Sequence, residues 1–527
     1  MGQIGFRKKS KNLRKMLENP AQKMRIVPLS YQNAVDKKNI FLPLFQKEPL
    51  AKENFFSYLP EYVKSAALKL TEKEFQGEEG ETKSAWFAQG KINRVRLFGF
   101  GEKAKWNYRK EPLVARRYVN YAKGEKVSEF VTPFAKSLGR SKKEGAKIFA
   151  ENALMADFEF NKYKEKPKDG WPEVKTIYLA AEKKDLAEIQ EGIKEGLIIG
   201  EETNLGRELA NTPGGDMTPK VLAKKAQNAA QASGIRIKTL EEKEIKLLGM
   251  GGILGVSKGS IEKPRFIILE YLHGPKNQKP LVVVGKGVTF DTGGLNLKPS
   301  NSIYEMHMDM SGGAAVIHGL AAVARLKLPI NIVGIIPAVE NMTSGSSYRP
   351  GDLLKSMSGK TIEVLNTDAE GRIILADALF YGATKYKPGL IIDFATLTGA
   401  AHAALGNYCS ALFTNREDLS EKFIEVGKKS GDYVWPLPLW EEYLTEIKGT
   451  FGDIANDAEN RYGGAIHGAK FLEHFVNNTP FVHIDIAPRM TATKSEYLTK
   501  GASGVGVRYI VELAKNYPFS LNAKFKM

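Results

Sequence analysis

The stretch NTDAEGR (366–372) places Asp368, Glu370 and Arg372 two positions apart from one another. The β-branched run TIEVL directly precedes it, and the apolar run IILADALFYGA directly follows it. The first run predicts a strand and the second a helix. Charged side chains where a strand passes into a core helix need partners or a metal ion, because an isolated buried charge is strongly disfavoured.

Unbroken apolar runs surround this stretch in the second half of the chain, and helical patterns at 313–326 and 374–386 separate them. Such runs are typical of strands buried on both faces of a sheet. Strand and helix in alternation predict an α/β fold with a mostly parallel, doubly wound sheet, whose ligands bind beyond the carboxyl ends of the strands. The runs are RFIILEYL (265–272), PLVVVG (280–285), INIVGIIPAV (330–339) and GLIIDFAT (389–396).

The first third of the chain has a different texture. Short strand-like runs at 95–101 and 174–181 flank a helical pattern at 145–158, with polar Lys- and Glu-rich segments between them. We therefore predict a smaller N-terminal α/β domain at 1–182, with a basic arm at its start. Apolar residues then recur at helical spacing over 183–210 until the Pro/Gly cluster NTPGGDMTP. This predicts a long linker helix, followed by a catalytic domain at 211–527.

Composition limits the class of protein. A chain of 527 residues with 43% apolar residues can form two domains with a large core. A single cysteine, Cys409, excludes an intramolecular disulfide and favours a reducing compartment. Because no run of 18 uncharged apolar residues occurs, we expect a cytoplasmic protein without membrane attachment.

The net charge of +17 is unusually high, and part of it lies in residues 1–25, which hold eight Lys or Arg residues and one Glu. A basic arm of this kind binds nucleic acid, an acidic membrane or an acidic partner in some proteins. In others it is a solvated tail. No nucleic-acid-binding motif accompanies the charge, which favours the second interpretation.

Three loops carry the charges that could form a site: Lys286, Asp291 and Lys298 in the first, Asp309 in the second, and the NTDAEGR residues in the third. Four carboxylates suit one or two divalent cations such as Mn²⁺, Mg²⁺ or Zn²⁺. The seven histidines are scattered without an HExxH pattern, which argues against a His-rich zinc site. A metal-free network, with Lys286, Lys298 and Arg372 neutralising the carboxylates, is the alternative. The residue types alone thus indicate a divalent-metal hydrolase or an ion-pair cluster.

The spacing of one other motif excludes a nucleotide-binding P-loop. MSGKT (357–361) ends like a phosphate-binding loop, but Leu354 stands where that loop requires glycine.

The motifs together resemble the leucine (cytosol) aminopeptidase family, whose members use two metal ions to remove the N-terminal residue of peptides. NTDAEGR followed by ILADAL resembles that family's signature. VGKGVTFDTGG, LKPS, DMSGGAA, RPGDLL, DFATLTGA and HIDIA occur in the same order as in the family. The resemblance extends over about residues 205–515.

The resemblance implies a role for each charged position. Asp291 and Glu370 would bridge two metal ions, Asp368 would bind the first, and Lys286 and Asp309 would bind the second. The two implied ions are Mn²⁺ or Zn²⁺, with Mg²⁺ and Co²⁺ as alternatives. A metal-bridged hydroxide would attack the first peptide bond, Lys298 would polarise its carbonyl, and Arg372 would hold a bicarbonate that acts as general base.

The resemblance also implies substrate contacts. Two methionines match positions of an apolar pocket, which suggests a preference for first residues such as Leu or Met. Plain core packing is the alternative reading of these methionines. The implied substrate-binding residues are Met306, Asn366, Thr396, Leu397, Gly399, Ala487 and Met490.

The family is usually homohexameric, so the resemblance implies a homohexamer that acts on peptide substrates. A second hypothesis adds a DNA-binding, architectural role through the basic surface, because some members of the family have one. His307, Ser311, Phe481 and Pro488 depart from common family residues without removing any implied ligand.

Overall fold

The computed structural model describes residues 24–88, 90–134 and 140–519. Contacts between Cα atoms divide the chain into two compact units: the first runs to Glu201 and includes Ser495–Thr499, and the second comprises Glu202–Lys494 and the residues from Lys500 onward. Residues 1–23, which hold seven of the eight basic residues of the arm, lie outside the described part of the chain. Within the described residues, no helix combines the length and apolar character needed to cross a membrane.

The first unit contains a six-stranded sheet in the order β1-β6-β5-β2-β4-β3. Its pairs are parallel except for β3, which runs antiparallel to β4. The strands are β1 (Arg25–Ser30), β2 (Asn39–Leu44), β3 (Thr82–Trp86), β4 (Arg94–Gly99), β5 (Glu129–Pro133) and β6 (Thr176–Ala181). The helices are α1 (Tyr31–Ala34), α2 (Glu61–Lys73), α3 (Glu111–Gly124) and α4 (Lys142–Asp157).

A long helix, α5 (Leu186–Asn211), spans the point at which the two units are divided. Later helices are α6 (Pro219–Ser233), α7 (Glu242–Leu247), α8 (Gly251–Ser257), α9 (Ser300–Ile303), α10 (Ser311–Arg325), α11 (Glu370–Tyr386), α12 (Gly399–Leu405), α13 (Ser420–Ser430), α14 (Gly464–Glu473) and α15 (Val507–Asn516).

The strands of the second unit are β7 (Arg236–Leu240), β8 (Arg265–Leu272), β9 (Leu281–Gly285), β10 (Gly287–Asp291), β11 (Asn331–Asn341), β12 (Leu353–Lys355), β13 (Thr361–Glu363), β14 (Leu390–Ala395), β15 (Ser410–Thr414), β16 (Val434–Pro436), β17 (Ile454–Ala455) and β18 (Phe481–Asp485). The main sheet has the order β16-β15-β18-β14-β9-β11-β8-β7, with β10 beside β11. Its centre, from β18 to β11, is parallel. The predicted mostly parallel α/β fold is confirmed.

Helices cover both faces of this sheet, which makes it doubly wound. Val333 and Ile335 of β11 share a core cluster with Ile373 and Ile374 of α11. Gly334, between them, faces the other way, where a Cβ would lie 2.7 Å from the Val316 side chain of α10. Successive strand residues point to opposite faces, so the unbroken apolar pattern follows from having a helix on each side.

Two strands differ from the simplest sequence interpretation. The apolar run 265–272 forms β8, but β8 pairs antiparallel with both β11 and β7. The TIEVL run yields only the three-residue β13, which belongs to a separate three-stranded sheet with β12 and β17. NTDAEGR therefore follows a strand of this small sheet, and it enters the site from beside the main sheet.

Candidate metal centre

The predicted ligands converge at the carboxyl edge of the main sheet. Lys286 follows β9, and Asp291 ends β10. Asp309 lies two residues before α10, and Glu370 is the first residue of α11. Each side chain is thus placed at the end of a regular element, and the backbone of a packed strand or helix fixes its position.

Two lysines contact four carboxylates in this cluster. Lys286 Nζ lies 2.8 Å from both Asp309 and Glu370 and donates to the Thr396 carbonyl oxygen at 2.9 Å. Lys298 Nζ lies 2.8 Å from Asp291 Oδ2 and 2.6 Å from Asp368 Oδ1. Asp368 is a third exposed, Lys298 is half-buried, and the side chains of the other four members are buried.

Burial and mutual repulsion shift the titration of the acids. Burial raises the pKa of Asp309 to about 8, with Lys286 opposing this shift and the Glu370 charge adding to it. Burial and the charges of Asp291 and Glu370 raise the pKa of Asp368 to about 7. The pKa of Glu370 is raised as well, first by burial and then by Asp291.

The pKa values of the two lysines are also raised, although burial acts on them in the opposite direction. Burial alone lowers the pKa of the Lys286 ammonium, but the charges of Asp309 and Glu370 outweigh burial and hold the pKa above its usual value. For Lys298 the same balance, with Asp291 as the largest opposing charge, also raises the pKa. The centre therefore combines four carboxylates with only two cationic lysines. This excess of negative charge is unfavourable in a buried site unless a further cation binds.

The residues fit a divalent cation. One ligand oxygen from each of Asp291, Asp309 and Glu370 lies within 4.8 Å of the others. Glu370 Oε2 is buried without a hydrogen-bond partner, which is costly unless a cation binds there. An oxygen-rich donor set with little histidine suits hard or borderline divalent metals.

Arg372 is buried beside the carboxylates, but its guanidinium contacts the loop that contains Asn456 and Asp457. Its Nη1 donates to the Asn456 carbonyl oxygen at 2.8 Å and lies 3.8 Å from Asp457 Oδ1. Its Nε is buried without a partner. Since guanidinium groups hold planar oxyanions through paired N–H donors, this unused donor suits a small bound anion.

Glycines permit the close approach of these loops. A Cβ at Gly371 would lie 2.5 Å from Lys286 Cε, so only glycine allows the lysine to pass the start of α11. Gly293 has a φ of +85°, and its Cβ would lie 2.4 Å from the Asn296 carbonyl oxygen. Both positions need glycine for steric reasons.

The predicted substrate-contacting residues lie on the loops around the acids. Thr396 follows β14 and donates to Asp309 Oδ1 at 2.6 Å. The backbone N–H groups of Leu397 and Ala487 both donate to Asp485 Oδ1 at 3.1 Å, which brings these two loops together. Gly399, the first residue of α12, is exposed.

The remaining three residues predicted to contact the substrate are half-buried. Met306 begins the short 3₁₀ turn before Asp309, and Met490 follows the turn formed by Ala487–Arg489. Asn366 donates to Asp457 Oδ2 at 2.9 Å and accepts from the Asp368 N–H.

Sequence reasoning missed the residue that holds NTDAEGR in place. Asn456 is fully buried, and its Oδ1 accepts from the N–H groups of Leu365 and Asn366 at 2.8 and 3.2 Å. Its Nδ2 donates to the carbonyl oxygens of Asn366 and Ala369. It lies 84 residues from Arg372 in a loop without a local signature, so the sequence offers no signal for this contact.

Asn341 holds another predicted ligand, Asp291, in a similar way, and here the sequence does contain a signal. It donates to Asp291 Oδ1 at 2.8 Å and to the Thr367 carbonyl oxygen at 3.0 Å. It ends β11, where a polar residue follows a long apolar strand at the carboxyl edge of the sheet. That position is where functional side chains are expected in such a fold.

An α/β fold with a buried carboxylate–lysine centre at the carboxyl edge of its sheet defines a metal-dependent hydrolase class. The model of the cytosol aminopeptidase family catalytic domain matches residues 204–511, and that of its N-terminal domain matches residues 41–167. The chain belongs to the cytosol aminopeptidase family, and it is a metallo-aminopeptidase.

Similar proteins agree with this assignment. A "Probable cytosol aminopeptidase" of Chlorobaculum tepidum is 43% identical over 443 residues, covering 82% of this chain and 88% of the relative. One from Aquifex aeolicus is 40% identical, covering 84% and 89%. The solved structure of the bottromycin maturation enzyme BotP in complex with Mn has a TM-score of 0.79 at 28% identity and covers 92% of this chain and 99% of its own.

Proposed function

We propose that the chain hydrolyses the N-terminal peptide bond of peptides with two divalent ions, Mn²⁺ or Zn²⁺ with Mg²⁺ and Co²⁺ as alternatives. Asp291 and Glu370 would bridge the ions, Asp368 would hold the first, and Lys286 and Asp309 would hold the second. The surplus of buried carboxylates over lysines is the observation that supports this proposal. When bound, such ions polarise a carbonyl group and make water a nucleophile near neutral pH.

The chain's own cations complete the proposed chemistry. Lys298, whose amine lies between Asp291 and Asp368, would donate a hydrogen bond to the carbonyl oxygen as negative charge develops there. Arg372 would hold a bicarbonate as general base, and its buried, unpartnered Nε supports this role. Lys286 would bind metal as a neutral amine, since nearby dications lower the pKa of an ammonium group.

The proposed substrate preference is for apolar first residues such as Leu or Met. Met306 and Met490, both half-buried and on loops beside the acids, support an apolar pocket. Asn366, Thr396, Leu397, Gly399 and Ala487 would contact the substrate around it. Faster release of Asp or Lys from aminoacyl reporters would contradict this preference.

The deciding experiment is hydrolysis of a leucyl reporter by metal-stripped protein, with Mn²⁺, Zn²⁺, Mg²⁺ and Co²⁺ restored in turn. We expect no turnover after stripping and recovery with at least one ion. Absence of turnover with every ion would overturn the proposal.

The wider organisation is proposed on the same grounds: an N-terminal domain at 1–182, a linker helix at 183–210, a catalytic domain at 211–527, a cytoplasmic location and a homohexamer. An additional DNA-binding role is the second candidate. The net charge of +17 is the observation that favours it.

A further inference from the structure

The second unit contains an open cleft of about 580 Å³ whose walls are largely polar. It is lined by the turn before β13, the end of α14 and the 3₁₀ turn Glu441–Ile447. Asn477 and Asn478, which also line it, come shortly before the amino end of β18. The metal centre lies at the carboxyl edge of the same sheet, so the cleft is a separate site. A cavity of about 150 Å³ accepts a benzene ring, and this larger cleft therefore admits small organic molecules.

A lysine and a histidine in the wall of this cleft are hydrogen-bonded to each other. Lys360 Nζ lies 2.7 Å from His474 Nε2. Both residues line the cleft and are half-buried, so their side chains remain partly accessible to a solute. Among the residues that the structure describes, no carboxylate lies within ion-pair distance of Lys360 Nζ. The amine therefore faces a neutral base in place of the usual counter-charge.

Local structure fixes the positions of both residues. The Lys360 carbonyl oxygen accepts from the backbone N–H and from the Oγ of Ser356, each at 2.9 Å, and the Lys360 N–H donates to Ser358 Oγ at 3.3 Å. His474 follows the last residue of α14, and its ring meets that of Phe475 edge to face, with 5.8 Å between centroids. The contact between amine and imidazole thus joins a closed turn to the end of a packed helix.

The surroundings favour the neutral forms of both groups. Burial lowers the pKa of Lys360, and the more distant charge of Asp453 opposes this shift without cancelling it. Burial and the charge of Lys360 lower the pKa of His474, so its imidazole is neutral at pH 7 and Nε2 accepts a proton. Desolvated lysines next to a base act as nucleophiles toward carbonyl carbon.

The second lysine of the cleft differs from Lys360 in this respect. Lys470 Nζ lies 2.5 Å from Glu441 Oε1 and 2.7 Å from Glu473 Oε2. Burial alone lowers the pKa of Lys470, but these two carboxylates outweigh burial and raise it. Lys470 therefore stays a paired ammonium group, and Lys360 is the amine of the cleft that is available for reaction.

We propose that Lys360 is a Schiff-base lysine, at which a small aldehyde binds covalently as an imine. The Lys360 ammonium passes a proton to His474 Nε2, and the free amine attacks the aldehyde carbon. The imidazolium returns the proton to the former carbonyl oxygen, which leaves as water when the C=N bond forms. Overall, one ammonium group and one aldehyde become one protonated imine and one water molecule, without oxidation or reduction.

The remaining wall of the cleft suits the carbon chain of such an aldehyde. Phe380, Leu444 and Val476 line the cleft with apolar side chains. An aldehyde with a short alkyl chain would place that chain against them while its carbonyl carbon meets Lys360. The reaction requires no metal ion, so this site goes beyond the proposed peptidase function and does not depend on it.

The test is reductive trapping of the imine in the full-length, metal-loaded protein. Propanal with sodium cyanoborohydride at pH 7 converts an imine into a stable secondary amine, and peptide mass spectrometry follows this product at each lysine. The exposed Lys355, at the end of the neighbouring strand β12, is the reference within the same molecule. We expect Lys360 to be modified at least about tenfold faster than Lys355, the factor by which one pKa unit changes the fraction of free amine.

Two variants of His474 test the role of the imidazole. His474→Phe keeps an aromatic ring but removes the proton acceptor, and His474→Gln keeps a hydrogen-bond acceptor that takes up no proton. In both, the rate at Lys360 should fall to about that at Lys355, whereas His273→Phe, at an exposed histidine outside the cleft wall, should keep the wild-type selectivity.

The proposal is overturned if Lys360 is not modified, if Lys360 and Lys355 react equally fast in the wild-type protein, or if His474→Phe keeps the selectivity. Selectivity that survives in His474→Gln would refute proton transfer through the imidazole. Because the reference lysine belongs to the same molecule, the wild-type comparison decides the central claim even if a variant fails to fold.

Discussion

At the scale of single residues, a variant of Lys298 distinguishes an effect on catalysis from an effect on metal binding. It contacts two of the proposed ligands, but in the proposed arrangement it acts on the substrate oxygen. Lys298→Met should lower kcat by about 10²–10³ and change KM little, because a donor that acts mainly in the transition state is lost. Steady-state hydrolysis of a leucyl reporter at saturating metal measures both constants. The exposed Lys355→Met serves as control, and a rise in KM alone would contradict the role.

Asn456 allows a prediction about positioning. Its side chain makes four hydrogen bonds to the backbone around NTDAEGR. Its backbone carbonyl oxygen accepts a hydrogen bond from Arg372 Nη1. Asn456→Ala leaves buried backbone groups unpaired, at a cost of about 1–3 kcal/mol for each. We expect a lower melting temperature and a lower kcat together.

The exposed Asn460→Ala, four residues away in the same loop, is the matched control for Asn456. It should leave both the melting temperature and kcat near the wild-type values. A normal kcat in Asn456→Ala would show that NTDAEGR keeps its geometry without this side chain.

These two residues also mark the limit of sequence reasoning about the site. Lys298 stands in a recognisable loop, GGLNLKPS, and the structure places it among the other predicted residues. Asn456 acts only through contacts with residues far away in the chain, which no local pattern records. The composition of the cluster could be predicted, whereas the hydrogen bonds that orient it depend on tertiary packing.

At the scale of elements, the start of α11 depends on Gly371. Alanine usually favours helix over glycine by about 1 kcal/mol. Here a methyl group would lie 2.5 Å from Lys286 Cε. The variant would gain helix propensity, but its methyl group would displace the side chain of Lys286, a proposed metal ligand. Gly371→Ala should weaken Mn²⁺ binding about 10–100-fold.

Calorimetric titration with Mn²⁺ measures this effect. Gly345→Ala, where the added methyl group meets nothing within 4 Å, is the control and should bind Mn²⁺ normally. Unchanged Mn²⁺ affinity in Gly371→Ala would contradict the assignment of Lys286 as a ligand.

Helices α5 and α10 are joined by an ion pair that gives a pH dependence. Glu202 Oε2 lies 2.7 Å from His318 Nδ1, and its Oε1 lies 2.6 Å from Arg325 Nη1. Burial alone raises the pKa of Glu202, but His318 and Arg325 outweigh it, so the pKa lies below the usual 4.5. A lowered carboxyl pKa stabilises the fold above the unfolded-state value, and this contribution is lost as pH falls through the folded-state pKa.

Glu202→Gln tests this pair by thermal melting. The variant should melt below the wild-type protein at pH 7, and the difference should shrink as pH falls below about 4.5. A difference that is the same at pH 7 and pH 4 would indicate lost packing instead of a lost charge.

The elements themselves were largely predictable, because apolar periodicity follows burial. The run 265–272 matches β8 residue for residue, and the helix predicted at 183–210 is observed at Leu186–Asn211. The direction of β8 and the separate sheet of β13 were not predictable. A two-sided apolar pattern shows that a strand is covered on both faces, but it contains no information about which neighbour it pairs with.

At the scale of the whole molecule, the net charge of +17 bears on nucleic-acid binding. A solvated basic surface binds DNA through counterion release alone, and such binding weakens steeply as salt rises. A surface that evolved to bind DNA adds further contacts, and these persist as the salt concentration rises. In a gel-retardation assay we expect the protein to retard duplex DNA at 50 mM salt and to stop doing so by about 0.2 M salt. This result would mean that the positive charge has no architectural role in DNA binding.

Removal of residues 1–23 sharpens this test, because it deletes seven of the eight basic residues of the arm together with its one Glu. If the arm carries the affinity, the truncated chain should lose retardation at 50 mM salt while its hydrolysis of a leucyl reporter stays unchanged. Retardation that survives 0.2 M salt in the full chain would contradict the nonspecific interpretation. Since the metal centre lies in the second unit, peptide hydrolysis and DNA binding would then be two separate functions of one chain.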